Sequence, residues 1–526
     1  MTIKKTFTLF NLTVCLFFLL ILCGCNREQK ETEKKQPNIL FIMSDDHTSQ
    51  AWGIYGGVLK DYVQNTNISR LADEGIVLDN AFCTNSICVP SRAAILTGQY
   101  SNKNGVYTLS DALETDSLNI AKVLQKNGYE TAIIGKWHLK KEPTGFDYYN
   151  VLNDQGRYWD PILKTVDNFN KTSEEWDIHK GFSTDVIANL SLEWLKDRKD
   201  DKPFLLMTHF KATHEPFDYP ERFNDLYKNI DVPEPASLYD FSPKTTGRTF
   251  KGQKLETLAW RYEQASDDPE KWWCKYPGLP FYTKDMDSLE TRKQVYQKFV
   301  KDFMRSGAAI DDNIGKILDY LEKSGQAENT VVIYTADQGY FLGEHGFFDK
   351  RLIYDESLRM PFVIRYPKEI PAGKRLDDII LNIDFPALFA DYAGVEVPNS
   401  MQGKSFRKNL IGKTPHNWRK SAYYRYWQHY PERPGHFGIR NANYKLAFFY
   451  GQSLDMTGCS DQATEPAWEF YDMVKDPKEN YNAYNDPTYK EIISEMKVEL
   501  KKQRILYEDT DSNYPVMQEI FNKKWN

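Results

Sequence analysis

A cysteine stands at the start of the most distinctive short motif in the chain, C-V-P-S-R at residues 88–92, which continues as A-A-I-L-T-G. The apolar run after the motif predicts a helix, so the loop that carries Cys88 would lead directly into it. A cysteine in such a place can act as a nucleophile. The alternative is a buried structural cysteine, and one residue by itself does not separate the two.

Two pairs of oxygen-bearing side chains follow two predicted strands. Asp45 and Asp46 come after the apolar run N-I-L-F-I-M, and Asp337 and Gln338 come after T-V-V-I-Y-T. Carboxylate and amide oxygens suit a hard cation such as Ca²⁺. Either pair alone could be a helix cap or a turn, but two such pairs near a candidate nucleophile predict a calcium site.

Cationic side chains form the third group of candidates. The chain has a formal net charge of −7 and a pI of about 5.8, so it lacks the basic excess of a nucleic-acid-binding protein. An anionic substrate would therefore need a local cluster of cations. The candidates are Lys136 and His138 in G-K-W-H-L, His214 in K-A-T-H and Lys350 after G-E-H-G, with His209 competing with His214. A single lysine or histidine is more often solvated or packed.

Apolar strands alternate with amphipathic helices along most of the chain. The predicted strands are Asn38–Met43, Thr131–Gly135, Pro203–Phe210 and Thr330–Thr335, and the predicted helices are Ile68–Gly75, Leu118–Gly128, Asp185–Asp197 and Lys293–Lys323. This alternation predicts a doubly wound α/β sheet. Such sheets bind ligands beyond the carboxyl ends of their strands, and polar candidates follow all four predicted strands.

Two parts of the chain depart from that pattern. Residues 216–290 are rich in Pro, Asp, Trp and Tyr, which predicts an inserted excursion that forms either a cleft wall or long loops. From about residue 410 the pattern changes to strands at 421–427 and 436–450 and a helix at 491–502. We therefore predict a large α/β domain at 37–409 and a smaller C-terminal α+β domain at 410–526.

The N-terminus predicts a bacterial lipoprotein. A basic start and a short apolar run end in L-C-G-C at residues 22–25, where the small Gly24 makes Cys25 the better candidate for lipidation. The alternative is a plain signal peptide or a membrane anchor. Residues 26–36 form a polar tether after the 1–25 signal. The protein is thus expected in the periplasm or at the cell surface, held to the membrane by a lipid only.

Seven cysteines are present, and three of them belong to the N-terminal leader. Four cysteines in a body of this length are too few for a disulfide scaffold. Cys274 and Cys459 could form a bridge, which the sequence does not decide.

Taken whole, C-x-P-S-R followed by L-T-G resembles the motif of the type I sulfatases. The resemblance implies an alkaline-phosphatase-like fold in which Cys88 is oxidised after translation, by a maturing enzyme, to formylglycine. The hydrated aldehyde would attack the sulfur of a sulfate ester and would complete, at position 88, the shell of one Ca²⁺ bound by Asp45, Asp46, Asp337 and Gln338.

The same resemblance assigns roles to the cations. Arg92 would hold the hydrated aldehyde, and Lys136 and Lys350 would neutralise the sulfate oxygens. His138 would act as a base for sulfate elimination, and His214 would protonate the leaving alcohol. These roles are those of matching family motifs, such as K-A-P-H, where this chain has K-A-T-H at residues 211–214.

Three longer stretches, including D-D-H-T-S-Q-A-W-G-I-Y-G-G, look most like bacterial N-acetylglucosamine-6-sulfatases that degrade glycosaminoglycans or mucins. The implied partner is a sulfated glycan. Aromatic and hydrogen-bonding side chains favour sugar subsites, although packing between domains is an alternative for each one. The substrate-binding candidates are Arg157, Trp427, His429, His436 and Arg440.

Two other functions stay open at this point. Phosphonate and phosphodiester hydrolases of the alkaline phosphatase superfamily can share C-x-P-S-R, but the set of Lys136, His138 and Lys350 favours sulfate. A lipid-anchored glycan-binding protein with a decayed site is the non-enzymatic alternative. It is disfavoured because none of the expected site residues is missing.

Overall fold

The computed structural model describes residues 35–199, 202–241, 250–270 and 275–525. The predicted signal, Cys25, most of the tether and Cys274 lie outside these residues, so they stay predictions. Among the helices described, none combines the length and the apolar composition that a membrane crossing requires.

The strands of the described residues are β1 Asn38–Asp45, β2 Ile76–Leu78, β3 Ala81–Phe82, β4 Glu130–Gly135, β5 Tyr148–Leu152, β6 Ile162–Thr165, β7 Asp177–Ile178, β8 Phe204–Thr213, β9 Thr330–Ala336, β10 Phe362–Arg365, β11 Lys374–Leu376, β12 Ile380–Leu381, β13 Ser421–Tyr426, β14 His436–Asn441, β15 Tyr444–Phe449 and β16 Ala467–Asp472. Ten of them form one sheet in the order β11-β2-β10-β9-β1-β8-β4-β5-β6-β7. Its centre, from β9 to β5, is parallel, and antiparallel strands flank it. The predicted α/β sheet is thus confirmed.

The helices are α1 Thr66–Asp73, α2 Cys88–Thr97, α3 Ser101–Asn104, α4 Ile120–Lys126, α5 Ser183–Asp197, α6 Leu255–Asp267, α7 Ser288–Lys323, α8 Asp355–Leu358, α9 Phe385–Ala393, α10 Arg407–Leu410, α11 Lys490–Leu506 and α12 Pro515–Lys524. Helix α7 begins five residues before the predicted Lys293. Its start is set by Asp287, whose side chain accepts hydrogen bonds from the amides of Leu289 and Glu290.

Alternate residues of β1 face the two sides of the sheet, as the period of a strand requires. Ile39, Phe41 and Met43 pack in the core that contains α2, α4 and α9, whereas Leu40 and Ile42 pack in the core that contains α1, α5 and α7. A central strand covered on both faces must be apolar throughout. Polar side chains are therefore confined to the strand ends.

The strand ends meet at one edge of the sheet. In the parallel pair of β1 and β9, Ser44 lies opposite Ala336, and in the pair of β4 and β8, Gly135 lies opposite His209. Because β1 also pairs in parallel with β8, the residues that follow these four strands emerge side by side. The sheet therefore places the polar residues at these four strand ends along one edge.

A second, antiparallel sheet follows in the order β13-β14-β15-β16. Helix α11 contributes Ile493 and Leu500 to its core, and one hydrophobic cluster runs from this sheet to the helices of the large one. The predicted strand at 421–427 and helix at 491–502 are present, whereas the segment predicted as one strand at 436–450 is a hairpin of β14 and β15, which pair antiparallel and are joined at residues 442–443. The domain boundary at 409/410 stays a prediction.

Candidate active site

Cys88 is the first residue of α2, which begins after the extended Ile87. The thiol is buried, and its Sγ lies 3.4 Å from Oδ1 of Asp45. Burial, with the negative charge of Asp45 adding to it, raises the pKa of the thiol. The encoded cysteine is therefore held as a thiol, which is a poor nucleophile compared with a thiolate.

Three carboxylates converge beside it. Ligand oxygens of Asp45, Asp46 and Asp337 lie within 4.8 Å of one another, and all three side chains are buried. Asp46 has a left-handed backbone (φ 65°), and its amide donates to Asp337 Oδ1 at 3.1 Å. Burial raises the pKa of Asp46, and it raises the pKa of Asp337 to about 7. Carboxylates with raised pKa values that face each other suit a cation between them.

Gln338 completes the donor set. Its Nε2 donates to Asp46, and its Oε1 is buried without a hydrogen-bond partner among the described residues. A buried acceptor that lacks a partner costs free energy, and a cation beside it would remove that cost. The residues present therefore fit a hard divalent cation bound by oxygen ligands.

Three buried cations surround the carboxylates. Lys136 pairs with Asp45, and Lys350 Nζ lies 2.6 Å from Asp46 Oδ2. Arg92 donates from Nε to Asp337 Oδ2 at 2.9 Å. Burial opposes the ionisation of Asp45, but the positive charges around it outweigh burial and hold its pKa well below the ordinary value.

Two histidines lie at the same site. His214 places Nδ1 2.8 Å from the carbonyl oxygen of Glu215 and Nε2 3.8 Å from Asp46 Oδ2. His138 places Nε2 3.5 Å from Asp154, and its Nδ1 is buried without a hydrogen-bond partner in the described chain. Burial lowers the pKa of both rings, so both are neutral at pH 7.

His209, the competitor of His214, has a different environment. Its Nδ1 lies 3.2 Å from the carbonyl oxygen of Lys136, and its ring packs edge-on against Phe41 at 5.9 Å between centroids. It does not line the cavity next to Cys88, whereas His214 does. The geometry favours His214, as the motif spacing predicts.

The cavity at this edge of the sheet has a volume of about 220 Å³. Its lining contains Cys88, Asp46, His214 and Lys350 from the predicted set. The following polar lining residues were not predicted: Gln155, Glu215, Tyr340, Asp349, Arg351, Arg261 and Arg433. Asp349 and Arg351 flank Lys350 in the sequence, which could have identified them, but no local pattern distinguishes Arg261.

The aromatic candidates for substrate binding are buried in packing. Trp427 lies under the guanidinium of Arg425, which is 3.4 Å from the ring centroid. His436 is fully buried and stacks on Phe449 at 4.4 Å between centroids. The structure does not bring either residue to the cavity, because both side chains are buried in the packing around the second sheet.

The polar candidates also lie outside the lining of the cavity. His429 Nε2 lies 2.9 Å from the carbonyl oxygen of Gln462, and Arg440 pairs with the buried Asp355 at 3.1 Å. Arg157 donates to the carbonyl oxygen of Asp160 on the surface. The contacts of His429 and Arg440 stabilise the second sheet and its junction with α8, and their part in substrate binding stays a prediction.

Comparison with known families identifies the class of protein. Residues 37–395 match the family model described as Sulfatase, and residues 343–505 match the one described as N-sulphoglucosamine sulphohydrolase, C-terminal. The first match covers more than half of the chain. The chain therefore belongs to the sulfatase family and is an enzyme that hydrolyses sulfate esters.

Individual relatives are similar over nearly the whole length. An N-acetylglucosamine-6-O-sulfatase from Bacteroides thetaiotaomicron is 38% identical over 94% of this chain and 90% of its own. The structure of BT4656 in complex with its substrate D-glucosamine-2-N,6-O-disulfate matches 91% of this chain and 100% of its own, with a TM-score of 0.82 and 36% identity. A phosphonate monoester hydrolase from Silicibacter pomeroyi, with a TM-score of 0.67, 20% identity and coverage of 90% and 96%, shares the fold.

Proposed function

We propose that this sulfatase removes the 6-O-sulfate of N-acetylglucosamine or glucosamine residues in sulfated glycans, using a formylglycine made from Cys88 and one bound Ca²⁺. The observation that carries the proposal is the position of Cys88. It starts a helix at the strand-end edge, beside three carboxylates, and it lines the same cavity as Lys350 and His214.

Formylglycine suits position 88 because a protonated, buried thiol is a weak nucleophile there. When present, the hydrated aldehyde would supply a hydroxyl that attacks sulfur and a second hydroxyl that allows sulfate to leave without an attacking water. Arg92 would orient this group, since its guanidinium lies 3.6 Å from Asp45, the carboxylate next to Cys88.

The charges of the site support a divalent cation. The buried carboxylates and the buried cations are equal in number: Asp45, Asp46 and Asp337 against Arg92, Lys136 and Lys350. The formal charges cancel, so these side chains alone do not attract an anionic ester. A cation held by Asp45, Asp46, Asp337 and Gln338 would give the site its positive charge and would act as a Lewis acid.

With a cation on the carboxylates, Lys136 and Lys350 are the groups that can turn to the sulfate oxygens. A buried ammonium in a low-dielectric site stabilises developing negative charge strongly. Lys136 is held towards the site by Gln155, whose Oε1 lies 2.6 Å from Nζ.

His214 is the proposed donor to the leaving alcohol. Because the Glu215 carbonyl only accepts, Nδ1 carries the proton, and Nε2 must gain a second proton before it can donate. An anionic sulfate beside the ring would raise its pKa and favour this uptake. His138 is the proposed base for sulfate release, since its Nδ1 lacks a partner in the described chain.

The substrate assignment is supported by the 38% identical N-acetylglucosamine-6-O-sulfatase and by the 36% identical structure with a 6-O-sulfated glucosamine. The test is a panel of N-acetylglucosamine and galactose monosulfates at different carbons, with enzyme made in a host that matures Cys88. We expect release of sulfate from carbon 6 of the glucosamine-type sugar. Preferred cleavage at another carbon or of another sugar would refute the assignment.

Phosphonate monoesters are the second substrate class to test, because a phosphonate monoester hydrolase shares the fold. Parallel assays on an aryl sulfate and an aryl phosphonate would compare the two classes. We expect the sulfate to be hydrolysed with the higher kcat/KM. A higher value for the phosphonate would reverse the assignment.

We also propose that the mature protein starts at a lipidated Cys25 and is held at the periplasmic or cell-surface side of a bacterial membrane. The sequence L-C-G-C and the polar residues that follow it support this localisation. Mass spectrometry of the N-terminal peptide from the native host should find a diacyl or triacyl modification at Cys25. An unmodified peptide cleaved elsewhere would contradict it.

A further inference from the structure

The cavity has a second group of charges that the hydrolysis of one sulfate ester does not use. Three guanidinium groups line its outer wall: Arg261 from α6, Arg351 after Lys350, and Arg433 from the turn that joins β13 to β14. Two carboxylates, Glu215 and Asp349, line the same wall. We refer to these five residues as the outer wall.

One of the two carboxylates is fully committed. Arg261 Nη1 donates hydrogen bonds to Oε1 and Oε2 of Glu215, at 2.8 and 2.7 Å, and the hydroxyl of Tyr276 also donates to Glu215. Arg261 and Glu215 thus form an ion pair whose formal charges cancel, so this pair adds no net charge to the outer wall.

The second carboxylate is shared. Asp349 Oδ2 accepts from Arg351 Nε at 2.8 Å and from Arg433 Nη1 at 3.1 Å. Two guanidinium groups therefore share one carboxylate, which leaves one positive charge in excess. A buried charge without a counter-ion is costly, so the wall as built favours an additional anion.

The excess positive charge is localised on Arg433, because its guanidinium has fewer hydrogen-bond partners among the described residues than that of Arg351. Arg351 has a second partner in the hydroxyl of Tyr426 at 3.1 Å, whereas the Nε of Arg433 is buried without a hydrogen-bond partner in the described chain. Burial and repulsion by Arg351 together lower the pKa of Arg433 despite the attraction of Asp349. An anion at Arg433 would relieve both effects.

The backbone holds Arg433 in place. Its amide donates to the carbonyl oxygen of Tyr430 at 2.9 Å, and its carbonyl oxygen accepts from the amide of Tyr430 at 3.1 Å. This paired turn presents the side chain to the cavity without a flexible loop. A guanidinium in a fixed position can discriminate by its planar set of donors.

We propose that Arg433 binds a second anionic group of the substrate, so that the enzyme prefers sulfated sugars that carry a further sulfate or a carboxylate near the scissile 6-O-sulfate. The proposal rests on the proposed function and deepens it. The second anion could belong to the same sugar, as an N-sulfate, or to a neighbouring sugar, as a uronic acid carboxylate. Both bind a guanidinium by charge-assisted hydrogen bonds.

The test compares three substrates: N-acetylglucosamine 6-sulfate, glucosamine 2-N,6-O-disulfate, and a disaccharide of N-acetylglucosamine 6-sulfate with a uronic acid. For the mature wild-type enzyme we expect kcat/KM to be about 10- to 100-fold higher for at least one dianionic substrate, the size expected for a charged hydrogen bond. Which of the two is preferred identifies the source of the anion.

The variant Arg433→Gln should lose that preference, because its kcat/KM should fall more on the preferred dianionic substrate than on N-acetylglucosamine 6-sulfate, so that the ratio of the two values approaches about one. Arg433→Lys, which keeps the charge without the planar donors, should restore part of the preference. Arg375→Gln is the matched control, because Arg375 pairs with Asp79 at an exposed sheet edge and should leave all three values unchanged. Thermal unfolding of each variant shows that it is folded.

Equal kcat/KM values on all three substrates for the wild type would overturn this inference and leave the proposed function intact. A loss on Arg433→Gln that is the same for all three substrates would also overturn it, since Arg433 would then support the site without recognising an anion. Hydrolysis of an aryl sulfate but of none of the three sugars would instead refute the 6-O-sulfate assignment, and this inference with it.

Discussion

The inner end of the cavity and its outer wall are built in opposite ways. The inner end gathers residues at the ends of parallel strands together with the first residue of α2. The register of β1 and β9 puts Asp45 next to Asp337, and Cys88 lies beside Asp45. The outer wall takes Arg261 from an inserted helix and Arg433 from a turn of the second sheet. It exists only because distant segments pack together.

We expect this difference to assign catalysis to the inner end of the cavity and substrate preference to its outer wall. The residues of the inner end are almost fully buried and neutralise one another, so a change there affects every substrate. The outer wall carries an uncompensated charge, which we propose binds a group of the substrate away from the scissile bond. Changes at the inner end should therefore lower all activity, and changes at the outer wall should alter the preference between substrates.

The largest expected effect is at position 88. Cys88→Ala should lower kcat/KM at least about 10³-fold on every substrate, because removal of a nucleophile abolishes most catalysis. The measurement is sulfate release, with mass spectrometry of the peptide that contains position 88. The matched control is Cys83→Ala, since Cys83 is equally buried, with its Sγ 3.9 Å from the Ser357 carbonyl oxygen, but does not line the cavity. Equal losses in the two variants would refute the special role of Cys88.

The junction of the two sheets should give the next largest effect. Asp355 accepts from Arg440 and Lys445 of the second sheet, at 3.1 and 2.8 Å. Asp355→Asn would leave the buried Arg440 without its carboxylate partner, whereas Lys445 keeps Glu479 at 2.6 Å, and it should lower the free energy of unfolding by about 3–5 kcal/mol. Urea unfolding measures the loss. Asp79→Asn, which breaks the exposed pair with Arg375, should cost less than about 1 kcal/mol.

If Asp355→Asn costs no more than Asp79→Asn, the second sheet does not depend on this junction. The view that tertiary packing holds the outer wall in place would then be wrong.

Removal of the cation should affect the inner end alone. A chelator should abolish activity. It should also lower the free energy of unfolding by about 3 kcal/mol relative to the same protein in Ca²⁺ at a concentration of about 100 times the Kd. Thermal unfolding with and without Ca²⁺ measures this. The stability of Gln338→Ala should rise less on addition of Ca²⁺, because this variant lacks the buried Oε1 that has no hydrogen-bond partner among the described residues. A wild type that unfolds identically in chelator and in Ca²⁺ would argue against a structural cation.

The smallest effect is a dependence of stability on pH. Burial, with repulsion by Arg92, lowers the pKa of His209 to about 3, whereas the unfolded value is about 6.5. Between these two pKa values the unfolded chain binds one more proton than the folded chain. The contribution of His209 to the free energy of unfolding is therefore complete above a pH of about 6.5 and is lost as the pH falls. From pH 7 to pH 5 it should remove about 2 kcal/mol.

His209→Gln should show a loss between pH 7 and pH 5 that is smaller by about this amount in urea unfolding. The exposed His416 offers the matched control variant His416→Gln. An unchanged dependence in His209→Gln would mean that His209 is protonated in the folded protein.

Much of the inner end could be predicted from the sequence. The apolar runs before Asp45 and Asp337 predict buried strands, and parallel strands share the edge at which they end, so adjacency follows without knowledge of the full fold. Strand patterns do not decide the positions of Trp427, directly after β13, and His436, at the start of β14. Trp427 and His436 have side chains that suit sugar binding, but the packing of the second sheet buries them.

The sequence by itself predicted the candidate nucleophile and placed the oxygen-bearing and cationic side chains at the strand ends, because short patterns fix strands and strand ends share an edge. Only the tertiary structure decided that Arg261 and Arg433 reach the cavity and that Arg351 and Arg433 share Asp349. Those contacts join segments far apart in the chain. Whether a charge is compensated depends on which distant groups surround it, and no local pattern records that.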